Sequence, residues 1–388
     1  MTSDSFPHKV ARRTFTILKV SDAWDWIAEA ENLLVMSREL RKLGHRVVIA
    51  CASGTGLAER SKREDFEVYV VPGLHRRKNP IAFLQAAVHV RRLVAQIQPD
   101  VVHAYRSPPH LMALWALRGK PGIPLVRTRA TMVPPRPSAM NRRIQAATAR
   151  TLVSADAVRF LCIEAGFPPD SIVVVQGGLE LERFDPAARD RAAAKKALGL
   201  PADALVVGHL ARLAPVKGHV HLLKAASEVI AKVPSARFVL AGPALPGMDE
   251  AVRGWAKQSG IGEQVLVTGK VDDVPATLAA FDVGVVASIG SEAFSRAALE
   301  YFAMGLPVVA TRVGTLPELV EDGKTGRLVP PQDPPALAAA LIELLQDEAK
   351  RRAFGAAARE RATHFGAAAQ GARLDAVYRD VVRDDAGP

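Results

Sequence analysis

Cysteine is nearly absent: Cys51 and Cys162 are the only two in 388 residues. They offer no disulfide framework and no metal-ligand spacing, which predicts a reducing compartment. Aromatic residues make up only 5% of the chain, and none is interleaved with the Lys/Arg clusters as a base-stacking platform. That argues against nucleic acid as a partner. No apolar run reaches the roughly 18 residues needed to cross a bilayer. The longest, such as Val47–Ala52, have the length of buried strands. Met1 to Arg13 lacks an apolar stretch of signal-peptide length, so a cytoplasmic protein is expected. No Asp-x-Asp or clustered His and Asp residues stand in the loops predicted after strands, so no essential metal and no cofactor are expected.

What is present is an ordinary globular composition, 49% hydrophobic and 23% charged. The length suits two domains rather than one core. The net charge of +11 is lopsided. Residues 1–188 hold 27 Lys and Arg against 17 Asp and Glu, whereas the remainder holds 24 against 23. The excess lies in Arg76, Arg77, Lys78, Arg91, Arg92, Arg136, Arg142, Arg143 and Arg150. Such a half attracts phosphates or acidic lipid headgroups, or is simply a soluble basic surface.

Two blocks alternate short apolar strands with longer amphipathic segments, which predicts parallel sheets covered by helices. In the first block strands are expected over Phe15–Val20, Arg46–Ala50, Glu67–Val71, Val101–Ala104, Leu125–Thr128, Ala157–Cys162 and Ser171–Val175. Helices are expected over Ala28–Leu43, Ile81–Ile97, Pro108–Leu117 and Met140–Val153. The stretch Phe184–Asp203, bounded by Pro186 and Pro201, reads as a linker and hinge. The second block gives strands at Leu205–Leu210, Ala236–Ala241, Val265–Thr268, Val283–Ala287 and Val308–Thr311. Its helices fall at His219–Lys232, Asp249–Ser259, Val274–Ala280, Phe294–Met304, Leu316–Glu321 and Pro335–Gln346, and the tail from Ala349 to Val382 is helical. The expected organisation is a domain over 1–185, a linker over 186–203, a domain over 204–365 and a terminal helix over 366–388 that crosses back. Two facing doubly wound domains would bind a ligand in a cleft at the carboxyl ends of their strands.

Three motifs follow strands of the second block. In the run from His209 to Gly218, Arg212 and Lys217 precede a helix start. Cations there oppose the helix dipole unless an anion lies between, and a diphosphate fits that description. The alternative is two exposed surface cations. In the run from Ser291 to Pro307, Glu292 lies in a loop and Glu300 on the helix after it. Such carboxylates accept paired hydrogen bonds from sugar or ribose hydroxyls; otherwise they are a helix-start acid and a solvated face residue. At Val313-Gly314-Thr315, Gly314 lets backbone approach a ligand or merely forms a tight turn.

With these motifs in order, the second half resembles a family 4 glycosyltransferase, glycosyl transferases group 1, of the GT-B fold and retaining type. The resemblance covers most of Ala204–Pro331. It implies that Arg212 and Lys217 grip a donor diphosphate, that Glu292 contacts the transferred sugar and that Glu300 holds the ribose. It places the base along Gly269, Lys270 and Val271, and the rest of the donor against Ser291, Ala293, Phe294, Ser295, Gly314 and Thr315. Arg212, Lys217 and Glu292 are thereby the expected catalytic residues. The fold class is α/β, GT-B, two facing Rossmann-like domains with an interdomain cleft.

The first half fits the resemblance more loosely. His103 follows the family's strand pattern, and Asp22, Trp24, Arg127 and Arg129 are expected on the acceptor side. Trp24 and Trp26 stack on a sugar or are half-buried anchors. Ala28 and Glu29 stand where relatives commonly have two glycines, Thr315 where they have a second, and Ala130 where many have a histidine. The expected activity is transfer of a sugar from a UDP- or GDP-sugar to a glycan, lipid-linked or lipopolysaccharide-type acceptor, in cell-envelope polysaccharide synthesis. Peripheral attachment to an anionic membrane surface through the basic clusters is also expected. The alternatives are a catalytically weak nucleotide-sugar binder, or a GT-B epimerase or phosphorylase.

Overall fold

A computed structural model describes residues 13–23, 28–74, 79–120 and 122–384. Trp24 and Trp26, and the basic cluster Arg76, Arg77 and Lys78, lie outside the described residues.

The first sheet contains β1 (Thr16–Ser21), β2 (Arg46–Cys51), β3 (Glu67–Val70), β4 (Val101–Tyr105), β5 (Leu125–Arg129), β6 (Arg150–Val153) and β7 (Ile172–Val174). Its order is β3-β2-β1-β4-β5-β6-β7. The second contains β8 (Leu205–Leu210), β9 (Ala236–Ala241), β10 (Val265–Gly269), β11 (Val283–Val286), β12 (Val308–Thr311) and β13 (Gly326–Val329), in the order β10-β9-β8-β11-β12-β13. β1 pairs in parallel with both β2 and β4, and β8 with both β9 and β11. Each sheet is therefore doubly wound, and its direction of winding reverses between its first and fourth strands. Open sheets of this kind bind ligands outside the carboxyl ends of the strands at that reversal.

The strands are near-continuous apolar runs because helices cover both faces. In the second sheet one face packs Leu222, Val229 and Leu341, and the other packs Phe281, Tyr301 and Phe302. Burying a side chain of that size stabilises the fold by about 1.5–3 kcal/mol. Two strand glycines shape the second face. A Cβ on Gly208 would run into the Phe281 ring, and one on Gly284 into the Tyr301 ring. The ring of Tyr301 thus lies over the strands, where its hydroxyl accepts from Leu210 N at 2.5 Å and donates to Gly208 O at 3.1 Å.

The chain divides into two compact units. One comprises the described residues up to Thr128, Ile144–Thr151 and the chain from Leu374; the other comprises Arg129–Arg143 and Leu152–Arg373. Within the first unit the C-terminal helix is fixed by three side-chain contacts. Asp375 receives a hydrogen bond from buried His45 at 2.9 Å, Tyr378 meets His103 at 2.6 Å, and Asp380 pairs with Arg150 at 2.8 Å.

The structure corrects several expected elements. The helix expected over Met140–Val153 is Ala139–Ala146, after which Arg150–Val153 forms β6. The Thr148 hydroxyl donates to Ile144 O at 2.8 Å and is held by His110 at 2.8 Å, which closes the helix end. Ala157–Cys162 is not a strand but part of the helix Asp156–Glu164. The N–H groups of Asp156 and Ala157 donate to the Glu318 carboxylate at 2.9 and 2.7 Å. That cap comes from a residue far away in sequence, so no local signal announced the helix start. The stretch read as linker contains a helix, Arg191–Ala197, capped by Asp190, whose carboxylate accepts from Ala193 N at 3.1 Å. The helical tail is two helices, Glu348–Ala362 and Ala367–Asp384, broken at Thr363–Phe365. The helix Gly56–Arg63 and strand β13 are additional.

Candidate active site

In the second unit the loops after β8 and β11 emerge beside each other at the winding reversal. Their backbones are laced together. Ile289 N donates to Val216 O at 2.9 Å, and Gly218 sits at φ 70° with Ala287 O where a Cβ would be. Only glycine permits both that conformation and that approach. Below them the buried His209 imidazole contacts Val285 O at 2.9 Å and Lys217 O at 3.2 Å, and burial lowers its pKa to about 4. At neutral pH this imidazole is uncharged and works as a strut between β11 and the Lys217 turn.

That lacing brings Lys217 to Glu292. The ammonium and the Glu292 carboxylate form an ion pair, and Ser288 Oγ donates to the same carboxylate oxygen at 2.5 Å. Glu292 is buried, 3% exposed, whereas the Lys217 side chain keeps 26% exposure. A buried carboxylate costs free energy unless paired and hydrogen-bonded, and here it is both.

A third turn joins from behind. Thr315 N donates to Glu292 O at 2.8 Å, and Gly314, at φ 56°, lies against the same carbonyl. The Thr315 hydroxyl is buried and has no hydrogen-bond partner among the described residues. Thr311 Oγ1 donates to Ser288 O at 2.6 Å. On the other side Ser154 Oγ donates to Ala293 O at 2.5 Å, and the Phe294 ring fills the space that a Cβ on Gly177 would take. Ser291, at φ 43°, turns the loop outward.

The helix Arg296–Ala303 then carries Glu300, which is 6% exposed and accepts from Arg296 Nε at 2.8 Å. It is not a solvated face residue. Its neighbour Tyr301, anchored to β8 as described above, fixes how the helix is rotated. Ser295 stands at the N-cap, buried, without a side-chain cap bond. Lys217, Ser288, Glu292, Ala293, Gly314 and Thr315 are therefore joined by direct contacts. Arg212 stands exposed in the loop after β8. Gly269, Lys270 and Val271 lie at the end of β10, the edge strand, with Gly269 O accepting from Gly242 N at 2.8 Å.

In the first unit Asp22 follows β1 and is fully buried, with Arg106 Nε 3.7 Å from its Oδ1. Arg127 is buried and donates to Ser107 Oγ at 3.0 Å. His103 lies within β4, both ring nitrogens engaged, by Tyr378 at 2.6 Å and Thr128 at 2.7 Å. Its pKa is held well below the usual value, by burial first and by the charge of Lys19 second. Arg129, in the second unit, donates to Val133 O and contacts Cys162; burial lowers its pKa.

Sequence comparison matches residues 190–361 to a family described as glycosyl transferases group 1, and residues 33–183 to glycosyltransferase family 4. The D-inositol 3-phosphate glycosyltransferase of Kribbella flavida is 33% identical over 324 residues, covering 76% of this chain and 75% of that protein. The chain belongs to the family 4 glycosyltransferases. Another relative, D-inositol 3-phosphate glycosyltransferase 2 of Catenulispora acidiphila, is 37% identical over 228 residues, 56% of this chain; the chain spans about half, 53%, of that protein's length. Among solved structures, a glycosyltransferase from Rickettsia africae superposes with a TM-score of 0.87 at 20% identity, covering 96% of this chain and 99% of that one. HepE of Anabaena, in complex with UDP, gives 0.83 at 22%, covering 94% and 100%. The architecture of this family 4 member is thus GT-B, with two Rossmann-like parallel sheets.

Sequence reading missed Ser154, Ser288 and Arg106. Ser288 directly follows the strand that leads to Glu292, so a polar residue at an apolar strand's end was the available signal. Ser154 lies far from the motif in sequence and had none.

Proposed function

We propose that the protein transfers a sugar from a nucleotide sugar, UDP-linked by preference, to an acceptor hydroxyl with retention of configuration. The observation that carries this reading is the buried Ser288–Glu292–Lys217 cluster at the winding reversal of the second sheet. The ion pair holds both groups in place until donor arrives. Lys217 and Arg212, with the open N–H groups at the start of helix Arg296–Ala303, then meet the diphosphate, and Glu292 is released to the sugar hydroxyls. The acceptor oxygen bonds to the anomeric carbon as the bond from that carbon to the diphosphate oxygen breaks. The acceptor's proton passes to that departing oxygen on the same face. Glu300 accepts from the ribose hydroxyls, and Gly269 to Val271 hold the base.

Support for a UDP-linked donor comes from the HepE structures, which hold UDP and UDP-glucose. For the acceptor, the names of the relatives point to a phosphorylated inositol, and Asp22, Arg127 and Arg129 are the side chains we place nearest to it. A lipid-linked acceptor at a membrane surface is the variant favoured by Val133 and Met140, 66% and 64% exposed beside exposed Arg136, Arg142 and Arg143.

The test is incubation with UDP-glucose or UDP-N-acetylglucosamine and D-inositol 3-phosphate, with the product's anomeric proton coupling read by NMR. An α-linked product supports the proposal. A β-linked product overturns retention, and nucleotide binding without any transfer points to a catalytically silent binder.

A further inference from the structure

Arg106 leaves β4 at the winding reversal of the first sheet with φ 71° and ψ 175°. That region of backbone space belongs to glycine and is strained for a residue with a side chain. The position carries arginine nonetheless. Its Nε lies 3.7 Å from the fully buried Asp22 carboxylate, beyond hydrogen-bond reach, and its Nη1 is buried with no hydrogen-bond partner. The side chain keeps 28% exposure. The next residue, Ser107, receives the buried Arg127 guanidinium at 3.0 Å, so two guanidinium groups flank one hydroxyl. Nothing acidic balances them locally in sequence: Val101 to Ala155 contains nine Lys and Arg and no Asp or Glu.

We propose that Arg106 binds a phosphoryl oxyanion carried by the acceptor, which makes the substrate class a phosphorylated hydroxyl compound; this rests on the sugar-transfer reading above. Asp22 steadies the Nε side of the guanidinium by charge alone. The remaining donors form a planar fork that matches two oxygens of a phosphate, a geometry lysine cannot supply. Arg106 is a specificity residue, and the reacting atoms lie elsewhere.

The experiment is calorimetric titration of inorganic phosphate into the full chain with UDP at saturation, so that the second unit's anion site is already filled. Wild-type protein is expected to bind phosphate, R106Q to bind it at least tenfold more weakly, and R106K, which keeps the charge opposite Asp22 and so guards against a folding defect, several-fold more weakly. UDP affinity should be the same in all three. Equal phosphate affinity in wild type, R106Q and R106K overturns the proposal, as does wild type that binds no phosphate. Absence of UDP binding would count against the donor reading instead, and a loss of phosphate binding confined to the Arg106 variants would still stand.

Discussion

Lys217 and Glu292 form an ion pair whose members differ in exposure, and that difference decides what each substitution does. In Lys217→Ala the Glu292 carboxylate remains buried with Ser288 as its printed partner, and the developing diphosphate charge loses a cation. Loss of one such preorganised group costs about 2.7–4 kcal/mol of barrier, or roughly 10²–10³ in kcat. Steady-state kinetics should show that drop, and a change within twofold would remove Lys217 from the reaction. Ser154→Ala tests a quieter contribution. It leaves every proposed ligand-binding side chain in place but frees Ala293 O. A lost hydrogen bond of this kind is worth about 0.5–1.5 kcal/mol, so kcat should fall by about three- to tenfold while UDP affinity holds. Unchanged kcat would mean that the Glu292 loop does not need that tether.

Among elements, β1 carries the strongest pH signature. Lys19 is fully buried, donates to Ser37 Oγ at 2.9 Å, and has its pKa lowered by burial to about 7. The unfolded chain keeps that proton up to its ordinary value near 10.5, so between about 7 and 10.5 the unfolded state binds more protons and stability rises with pH. Below about 7 both states are protonated and the full penalty applies. Between about pH 7.5 and 9 the wild type should gain on the order of 2 kcal/mol relative to Lys19→Met, measured by urea melts. Parallel pH profiles would contradict the assignment. Helix starts are a second check at this scale. Asn79 Oδ1 accepts from Ile81 and Ala82 N at 3.0 and 3.1 Å, so Asn79→Ala should cost about 1 kcal/mol in the same assay.

The same elements show what was legible in the residues alone. Helix His219–Lys232 and strands β8, β9 and β12 were placed at their true ends, because apolar periodicity and glycine or proline boundaries are local signals. The cluster of Lys217, Glu292 and Glu300 was legible because its members follow strands at fixed spacing. Helix Asp156–Glu164 was misread because its cap, Glu318, is remote. Arg106 was invisible because a left-handed arginine looks in sequence like any other strand-end cation.

At the scale of the whole molecule the charge asymmetry is the feature to explain. Among the described residues no helix is long and apolar enough to cross a membrane. Exposed Val133 and Met140 beside Arg136, Arg142 and Arg143 would act together on an anionic surface. Changing the three arginines to glutamate should abolish sedimentation with vesicles containing anionic phospholipid, while leaving UDP binding intact. Equal sedimentation would remove the membrane from the account and leave the basic half to serve a charged acceptor alone.

The most direct measurement is calorimetric binding of UDP, GDP and ADP to the purified chain, with Glu300→Ala alongside. The account predicts micromolar binding of UDP, weaker binding of the other two, and at least a tenfold loss of UDP affinity in Glu300→Ala. No binding of any nucleotide, or UDP binding indifferent to Glu300, would contradict the donor site described here.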